Sequence, residues 1–327
     1  MDIAATAHAI QLGERRALAR AITLVESARA DHRAQALELL AQLPKEKQAL
    51  RIGLSGTPGV GKSTFIESFG LMLIAQGLRV AVLAVDPSSA RSGGSILGDK
   101  TRMEQLARAP AAFIRPSPSQ AQMGGVARRS REAVALCEAA GYDVVLIETV
   151  GVGQSETVVA QISDLFVLLL APAGGDELQG VKRGIMEMAD LILVNKADGD
   201  LAAAAQRTRA DYAGALHLLR RRPQDPEGYP LAMTVSAYTQ AGLDEAWAKM
   251  QALAAWRREN GHWDAARAAQ AKQWFLEEIR QNLLASLNAE PRRGILNGLG
   301  DQVARGDLRP EVAAARALAA MGRDGGA

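Results

Sequence analysis

The sequence predicts an α/β fold, a doubly wound and mostly parallel sheet with helical extensions before and after it. From Arg51 onward, short continuous apolar runs alternate with segments of helical periodicity. Such runs are typical of parallel strands that are covered by helices on both faces. This pattern begins near residue 46 and ends near residue 260, so we divide the chain into three parts.

The first part, residues 1–45, is predicted to be an N-terminal helical extension. Apolar residues recur at helical spacing as far as Pro44. These residues are Leu18, Ile22, Val25, Leu37 and Leu40.

The second part, residues 46–260, is predicted to hold the sheet. We expect strands at residues 52–55, 80–85, 113–115, 144–147, 165–170, 191–194 and 232–235. A helix should follow the first strand directly, because apolar residues recur at helical spacing from Thr64 until Gly77 ends the pattern.

The third part, residues 261–327, is predicted to be a C-terminal helical arm. One helix carries an apolar stripe of Trp274, Leu276, Ile279, Leu283 and Leu287, and an alanine-rich helix follows Pro310. No strand remains for this stripe to cover, so we expect it to be buried on its own domain or on a second subunit.

Composition limits the classes of partner and compartment. The chain has 327 residues, a net charge of +2 and no basic block, so its charge does not indicate nucleic acid or membrane. The single cysteine, Cys137, excludes an internal disulfide framework and is predicted to be a small buried hydrophobe. We see no signal peptide and no apolar run long enough to span a membrane, so we expect a cytoplasmic protein. The histidines His8, His32, His217 and His262 lie far apart and predict no transition-metal site.

The strongest motif is a phosphate-binding loop between the first strand and its helix. It reads Gly56-Thr57-Pro58-Gly59-Val60-Gly61-Lys62-Ser63, continues into Thr64, and fits G-x-x-x-x-G-K-[ST]. The glycines allow backbone N–H groups to surround a polyphosphate, and the helix N-terminus favours negative charge. Lys62 is expected to reach the outer phosphates and Ser63 to bind Mg²⁺. The fold that this motif predicts is a P-loop NTPase.

A second motif, Asn195-Lys196-Ala197-Asp198, directly follows the strand at 191–194. The Asp198 carboxylate can accept hydrogen bonds from the guanine ring N–H and the 2-amino group, a donor pair that adenine lacks. Asn195 and Lys196 are expected to brace the loop and cover the ring. After the last strand, Ser236-Ala237-Tyr238 is expected to offer a backbone N–H to the guanine carbonyl oxygen.

A third motif ends the strand at 144–147 in a carboxylate, Glu148, three residues before Gly151. Nucleotide hydrolases place here the acid that holds Mg²⁺ through water and the glycine that senses the γ-phosphate. Most of them use aspartate at this position. Val152 stands where many small GTPases carry a water-positioning glutamine, and Gln154 comes two residues later. We therefore expect slow intrinsic hydrolysis.

Two further segments follow predicted strands. Asp86 begins Asp86-Pro87-Ser88-Ser89 and should face the phosphate loop, since ligands bind at the carboxyl ends of parallel strands. The glycine-rich residues up to Lys100 are expected to form a switch segment ordered by Mg²⁺ and γ-phosphate. Asp99 belongs either to that segment or to the N-cap of a helix at 101–107. Residues 174–183 are either a surface loop with a helix start, which the residues alone favour, or another mobile segment near the nucleotide.

Together, these motifs resemble those of P-loop GTPases that act as metallocentre and cofactor chaperones, and in particular the MeaB/ArgK group associated with methylmalonyl-CoA mutase. Residues 148–154 are the most specific part, and the likeness extends to residues 15–23. The resemblance implies a homodimer, in which the C-terminal arm at 261–327 reaches across to the second subunit, and which binds GTP or GDP with Mg²⁺. It also implies that the protein gates adenosylcobalamin loading of a cobalamin-dependent acyl-CoA mutase and protects that mutase.

The same resemblance implies roles for individual residues. Asp86, Asp99 and Glu148 match the Mg²⁺-site and switch acids of the group, and Lys182 matches the lysine of a third switch that relays nucleotide state. Members hydrolyse GTP slowly alone and faster with the mutase. Which mutase is the partner stays open.

Three alternatives compete with this interpretation. A nickel-insertion GTPase for hydrogenase or urease would need a Cys/His metal site, which one cysteine and four scattered histidines do not favour. A P-loop ATPase or kinase is disfavoured by the Asn195 motif, and comparing GDP with ADP binding would decide. An interaction module locked by nucleotide, without meaningful hydrolysis, is distinguished by turnover with and without a mutase.

Overall fold

The computed structural model of the chain describes residues 2–44, 46–85, 103–116, 123–149, 155–172, 183–219 and 222–323. It forms two compact units, Met1–Gln270 and Ala271–Ala327. The N-terminal helices belong to the same unit as the sheet. The three-part division at residues 45 and 260 stays a prediction.

The described residues of the first unit contain one seven-stranded sheet. Its strands are β1 Leu50–Ser55, β2 Val80–Val85, β3 Ala112–Arg115, β4 Val144–Thr149, β5 Leu165–Leu170, β6 Leu191–Val194 and β7 Leu231–Thr234. They are ordered β3-β2-β4-β1-β5-β6-β7, and all neighbouring pairs are parallel. The predicted fold class is therefore confirmed.

Two strands are longer than their apolar runs. β1 begins at Leu50, which pairs with Val144, and β4 continues through Thr149. Pairing with a neighbouring strand extends each ladder beyond its apolar run: Leu50 and Arg51 pair with β4, and Thr149 pairs with β2. Glu148 is consequently part of a strand and not a residue that follows one. At the sheet edge, β7 begins and ends one residue earlier than predicted.

The N-terminal extension consists of α1 Ile3–Gln11, α2 Arg15–Glu26 and α3 Ala30–Ala41. In α2, the apolar positions are buried as predicted: Leu18, Ile22 and Val25. In α3, Leu37 is exposed, and the helix buries Ala36 and Leu39 instead. The break at residues 27–29 separates the two helices, so the periodicity of α2 does not carry into α3.

The helices that accompany the strands lie between them in sequence, except for the last, which follows β7. They are α4 Lys62–Ala75, α5 Glu104–Arg108, α6 Met123–Ala139, α7 Ser155–Ile162, α8 Arg183–Met188, α9 Ala202–His217 and α10 Leu243–Glu259. A short 3₁₀ helix, Gly199–Leu201, precedes α9. No helix among the described residues is long and apolar enough to cross a membrane.

Asp99, which the sequence leaves open as a switch residue or a helix N-cap, lies outside the described residues, so that choice stays open. The helix predicted at 101–107 begins instead at Glu104, and Met103 occupies its N-cap position. One N–H of its first turn, that of Gln105, donates to the carboxylate of Glu67 on α4 at 2.8 Å. A carboxylate from another helix thus does what a local cap would have done.

The core of the first unit lies where helices pack on the sheet. Phe65 and Phe69 of α4 are fully buried, and the Phe69 ring meets Trp247 of α10 edge-on at 5.9 Å between centroids. Cys137 on α6 is also fully buried, and burial raises the pKa of its thiol. The prediction that Cys137 is a buried small hydrophobe is confirmed.

The boundary between the units falls within α11, His262–Leu287. The second unit continues with α12 Arg292–Ala304 and α13 Pro310–Arg323. The sequence predicted α11 and α13 but missed α12, whose three glycines weaken the helical pattern. Large apolar residues on the described part of α11 are exposed: Phe275, Leu276, Ile279, Leu283 and Leu284.

Candidate functional site

The sequence motifs meet at the carboxyl ends of the strands, because all strands of the sheet are parallel. The phosphate-binding loop follows β1, and the Asn195 motif follows β6. The Ser236 loop comes just after β7, and Glu148 is the second-last residue of β4. In open parallel sheets, this carboxyl edge is where ligands bind.

The phosphate-binding loop needs glycine for two different reasons. Gly59 and Gly61 have φ of +86° and +84°, a left-handed conformation that side chains disfavour. A Cβ on Gly61 would lie 2.9 Å from Asn195 Nδ2, and one on Gly56 would lie 2.4 Å from the Leu169 carbonyl oxygen. The loop is therefore packed tightly against the neighbouring motif and against β5. Lys62 begins α4, and its Nζ donates to the Gly56 carbonyl at 3.2 Å.

Asn195 joins the loops on either side of it. Its side chain is buried, and Nδ2 donates to the Val60 carbonyl at 2.9 Å. Its Oδ1 accepts the Ala237 N–H at 3.0 Å. The next residue, Lys196, donates from Nζ to the Gly59 carbonyl at 2.7 Å. The two residues thus connect the phosphate-binding loop, the Asn195 motif and the loop after β7 into one assembly.

Asp198 has a side-chain partner of its own. The Ser236 hydroxyl donates to Asp198 Oδ1 at 2.6 Å and accepts the Thr239 N–H at 3.0 Å. Ser236 is fully buried, so its hydroxyl holds the carboxylate in a fixed place. The Tyr238 side chain is exposed beside it. The structure therefore brings together every predicted base-contacting residue.

Glu148 is buried between two neighbours in the sheet, in register with Leu54 of β1 and Ala84 of β2. The following Thr149 donates from its hydroxyl to Ser55 Oγ at 3.3 Å, immediately before the phosphate-binding loop. This buried contact between β4 and β1 was not predicted, because Ser55 belongs to no motif and the motif at 148–154 does not indicate a partner for the Thr149 hydroxyl.

A Mg²⁺ ion fits the donors at this edge. The Ser63 hydroxyl on the first turn of α4 and the Glu148 carboxylate supply oxygen atoms, which Mg²⁺ prefers. The described residues contain no cluster of three metal-ligating side chains. A Mg²⁺ ion usually takes one or two protein ligands and completes its shell with substrate phosphates and water.

The remaining predicted site residues lie outside the described ranges. They are Asp86, Asp99, Gly151, Val152, Gln154 and Lys182. The segments 86–100, 150–154 and 174–182, which contain them, follow β2, β4 and β5 in the sequence. Their roles stay predictions.

A cavity of about 570 Å³ lies at the amino ends of the central strands. It is lined by the first residues of β5, by Asp190 just before β6, and by Arg257 and Trp263. None of the motif residues that the structure describes lines this cavity.

Comparison with known proteins agrees with this geometry. The family model for the methylmalonyl-CoA mutase-associated GTPase MeaB matches residues 18–292. A putative GTPase of Caulobacter vibrioides is 52% identical over 324 residues, which are 98% of either chain. The GTPase ArgK of Escherichia coli is 50% identical over 281 residues, 86% of this chain and 84% of that protein.

Two further relatives extend the comparison. The mitochondrial methylmalonic aciduria type A homolog of Mus musculus is 51% identical over 290 residues, 85% of this chain and 69% of that protein. The crystal structure of a LAO/AO transport system kinase superposes with a TM-score of 0.74 at 39% identity, covering 98% of this chain and 97% of that one. The family model, the relatives of similar length and the shared fold lead to one conclusion: the chain belongs to the MeaB/ArgK family of P-loop GTPases.

Proposed function

We propose that this protein binds and hydrolyses GTP in order to gate adenosylcobalamin loading of a cobalamin-dependent acyl-CoA mutase, of the methylmalonyl-CoA mutase type, and to protect that mutase. The observation that carries the nucleotide part is the direct hydrogen bonding of the phosphate-binding loop to the guanine motif through Asn195 and Lys196. Family membership and the names of the relatives support the mutase part.

Each part of the nucleotide has a proposed set of partners. Backbone N–H groups of the loop and the N-terminus of α4 hold the phosphates, and Lys62 neutralises the outer two. Asp198 accepts the guanine donors, while Ser236 keeps the carboxylate in place. Ser63 and Glu148, together with Asp86 and Asp99, would hold Mg²⁺, which when bound neutralises charge on the phosphoryl group during transfer.

The reaction is proposed to be slow in the isolated protein. Val152 has no group that can orient the attacking water, and Gln154 lies two residues further along the chain. A partner that positions the segments after β2 and β4 would supply the missing order. The mutase is the proposed partner, with residues 174–183 and Lys182 reporting which nucleotide is bound.

Turnover measured with the full chain tests this proposal. We expect GTP to be preferred to ATP, with a slow basal rate that rises when apo-mutase is added. Lys62→Ala should abolish hydrolysis and weaken GDP and GTP alike, because the phosphate charge is no longer neutralised. Lys249→Ala, which removes an exposed lysine on α10, is the matched control and should leave both properties unchanged.

The same assay separates the alternatives. Preference for ATP would contradict guanine recognition and favour a kinase or ATPase. A fast basal rate that the mutase does not alter would contradict the switch, and undetectable turnover with every mutase would favour a nucleotide-locked interaction module.

Lys182→Ala should keep GDP affinity but reduce mutase-stimulated turnover. It should also reduce the difference between the GDP and GTP complexes in cofactor loading. Full stimulation in that variant would make residues 174–183 a surface connection.

A further inference from the structure

Ser68 is a polar residue of α4 that belongs to no nucleotide-binding motif. It lies six residues after Lys62, and its hydroxyl donates to the Ala237 carbonyl at 2.6 Å, across 169 residues of sequence. A serine within a helix commonly bonds a carbonyl of its own preceding turn. Ser68 instead holds the loop that follows β7.

This bond completes the fixation of Ala237. The N–H of Ala237 donates to Asn195 Oδ1 at 3.0 Å, and its carbonyl accepts from Ser68. Both peptide planes that flank Ala237 are therefore held by side chains from other elements. Asn195 in turn reaches the Val60 carbonyl, so the contacts form a closed circuit through α4 and the phosphate-binding loop.

The N–H groups of this loop are almost all used within the protein. Ser236 N–H donates to the Ala241 carbonyl at 2.9 Å, and Thr239 N–H donates to Ser236 Oγ at 3.0 Å. Ala237 N–H is bonded to Asn195. Across the described residues, the N–H of Tyr238 has no protein acceptor. It is thus the one N–H among these four that is available to a base.

We propose that Ser68 is a positioning residue for guanine recognition, which holds the Tyr238 N–H as the donor to the carbonyl oxygen at position 6 of the base. The Ala237 carbonyl and the Tyr238 N–H belong to the same planar, trans peptide unit and point in opposite directions. Fixing the carbonyl on α4 therefore fixes the direction of the N–H. This inference rests on the proposed guanine-nucleotide function.

The location of Ser68 on α4 also connects it to the proposed phosphate contacts. Lys62 and Ser63, which are proposed to contact the phosphates and Mg²⁺, are on the first turn of the same helix. The hydrogen bond from Ser68 to the loop that follows β7 therefore sets the distance between the proposed phosphate contacts and the proposed base contacts. Loss of the bond would leave the phosphate contacts in place but release the donor to the base.

Equilibrium binding of three nucleotides to the full chain tests the inference. GDP has both the carbonyl oxygen at position 6 and the 2-amino group. In 6-thio-GDP, sulfur, a weaker acceptor, replaces that oxygen. IDP lacks the 2-amino group that Asp198 is proposed to bind. In Ser68→Ala, GDP should bind about fivefold more weakly, the expected effect of one neutral hydrogen bond. The preference for GDP over 6-thio-GDP should shrink by about the same factor, whereas the preference for GDP over IDP should be kept.

Two variants serve as controls. Ser68→Thr keeps the hydroxyl and should restore both the affinity and the preference for GDP over 6-thio-GDP. Glu67→Ala removes the neighbouring hydrogen bond from α4, to the Gln105 N–H, and should change neither preference. If Ser68→Ala does not fold, Ser68→Cys, with a weaker donor of similar size, provides the same comparison.

Uniform weakening of all three nucleotides in Ser68→Ala, or unchanged GDP affinity, would overturn the positioning role. A wild-type protein that binds ADP as well as GDP would instead overturn the proposed function. The two failures are therefore distinguishable.

Discussion

Asp198 is the residue on which we propose that base selection depends, because its carboxylate can accept two donors that adenine lacks. In Asp198→Asn, the amide presents a donor where the carboxylate accepted one. Hydrogen bonds to charged groups contribute about 1.5–3 kcal/mol each, so GDP affinity should fall by roughly a hundredfold or more. Xanthosine diphosphate, which has a carbonyl in place of the 2-amino group, should gain affinity.

Isothermal titration with GDP and xanthosine diphosphate measures this exchange. Asp200→Asn is the matched control, since Asp200 is exposed two residues later and should change neither affinity. An Asp198→Asn protein that keeps its preference for GDP would show that another group reads the base.

Residues within local motifs could be predicted from the sequence, and residues that act across the fold could not. Asn195 and Gly61 stand at fixed positions in short motifs. The structure packs them so closely that a Cβ on Gly61 would lie 2.9 Å from Asn195 Nδ2. Ser68 and the Ser55–Thr149 pair carry no such signal. Their contacts depend on which strands and helices become neighbours, and no single segment of sequence contains that information.

At the scale of elements, the apolar runs predicted the existence and order of the strands but not their ends. β4 extends over Glu148, which pairs with β1 and β2, and over Thr149, which pairs with β2, although both residues are polar. Helix α12 was missed because its three glycines weaken the helical pattern, and none of its residues is buried. Where neighbouring elements supply the stabilisation, local pattern is a weak guide.

The most heavily buried charged contact of α10 leads to a stability prediction. Arg257 donates from Nη2 to both Asp190 and Asp225 at 2.6 Å, and all three residues are buried. Arg257→Ala would leave the two buried carboxylates with Arg222 as their remaining basic partner among the described residues, at 2.9 Å from Asp190 and 3.6 Å from Asp225. We expect the free energy of unfolding to fall by about 3–5 kcal/mol. Urea unfolding measures the loss, and Lys249→Ala on the same helix should change stability by less than about 0.5 kcal/mol.

The loss of folding stability in Arg257→Ala should also depend on pH. Burial raises the pKa of the Asp225 carboxyl even with Arg257 beside it. Removal of that positive charge should raise this pKa further. A carboxyl whose pKa is higher in the folded state favours folding when it is protonated, and this contribution is lost as pH rises through the folded-state pKa. The stability deficit of Arg257→Ala should therefore be largest at neutral pH and smaller near pH 4, around the ordinary aspartate value. A deficit that is constant with pH would show that packing, not charge, is what Arg257 contributes.

At the scale of the whole molecule, the exposed apolar face on α11 supports the prediction that the chain forms a dimer. Leu276 and Leu283 are 51% and 61% exposed, and Ile279 lies between them on the same side of the helix. Contiguous apolar surface of this kind typically marks an interaction site, and a second copy is the occupant that the family resemblance implies. Leu276→Glu combined with Leu283→Glu should prevent association, because two carboxylates would have to be buried without partners.

Light scattering of the full-length double variant measures its mass, and GDP binding shows whether the nucleotide site is intact. We expect a monomer that binds GDP with wild-type affinity, because the motif residues all belong to the first unit. A full-length variant is preferable to a deletion after Gly261, since Trp263 is buried in the core of the first unit and Arg267 bonds Asp164 there. Ala285→Glu adds a charge about 200° around the helix from Leu283 and should leave the dimer intact. A double variant that remains dimeric would place the dimer contact elsewhere and leave the apolar face of α11 for a different partner, of which the mutase is the first to test.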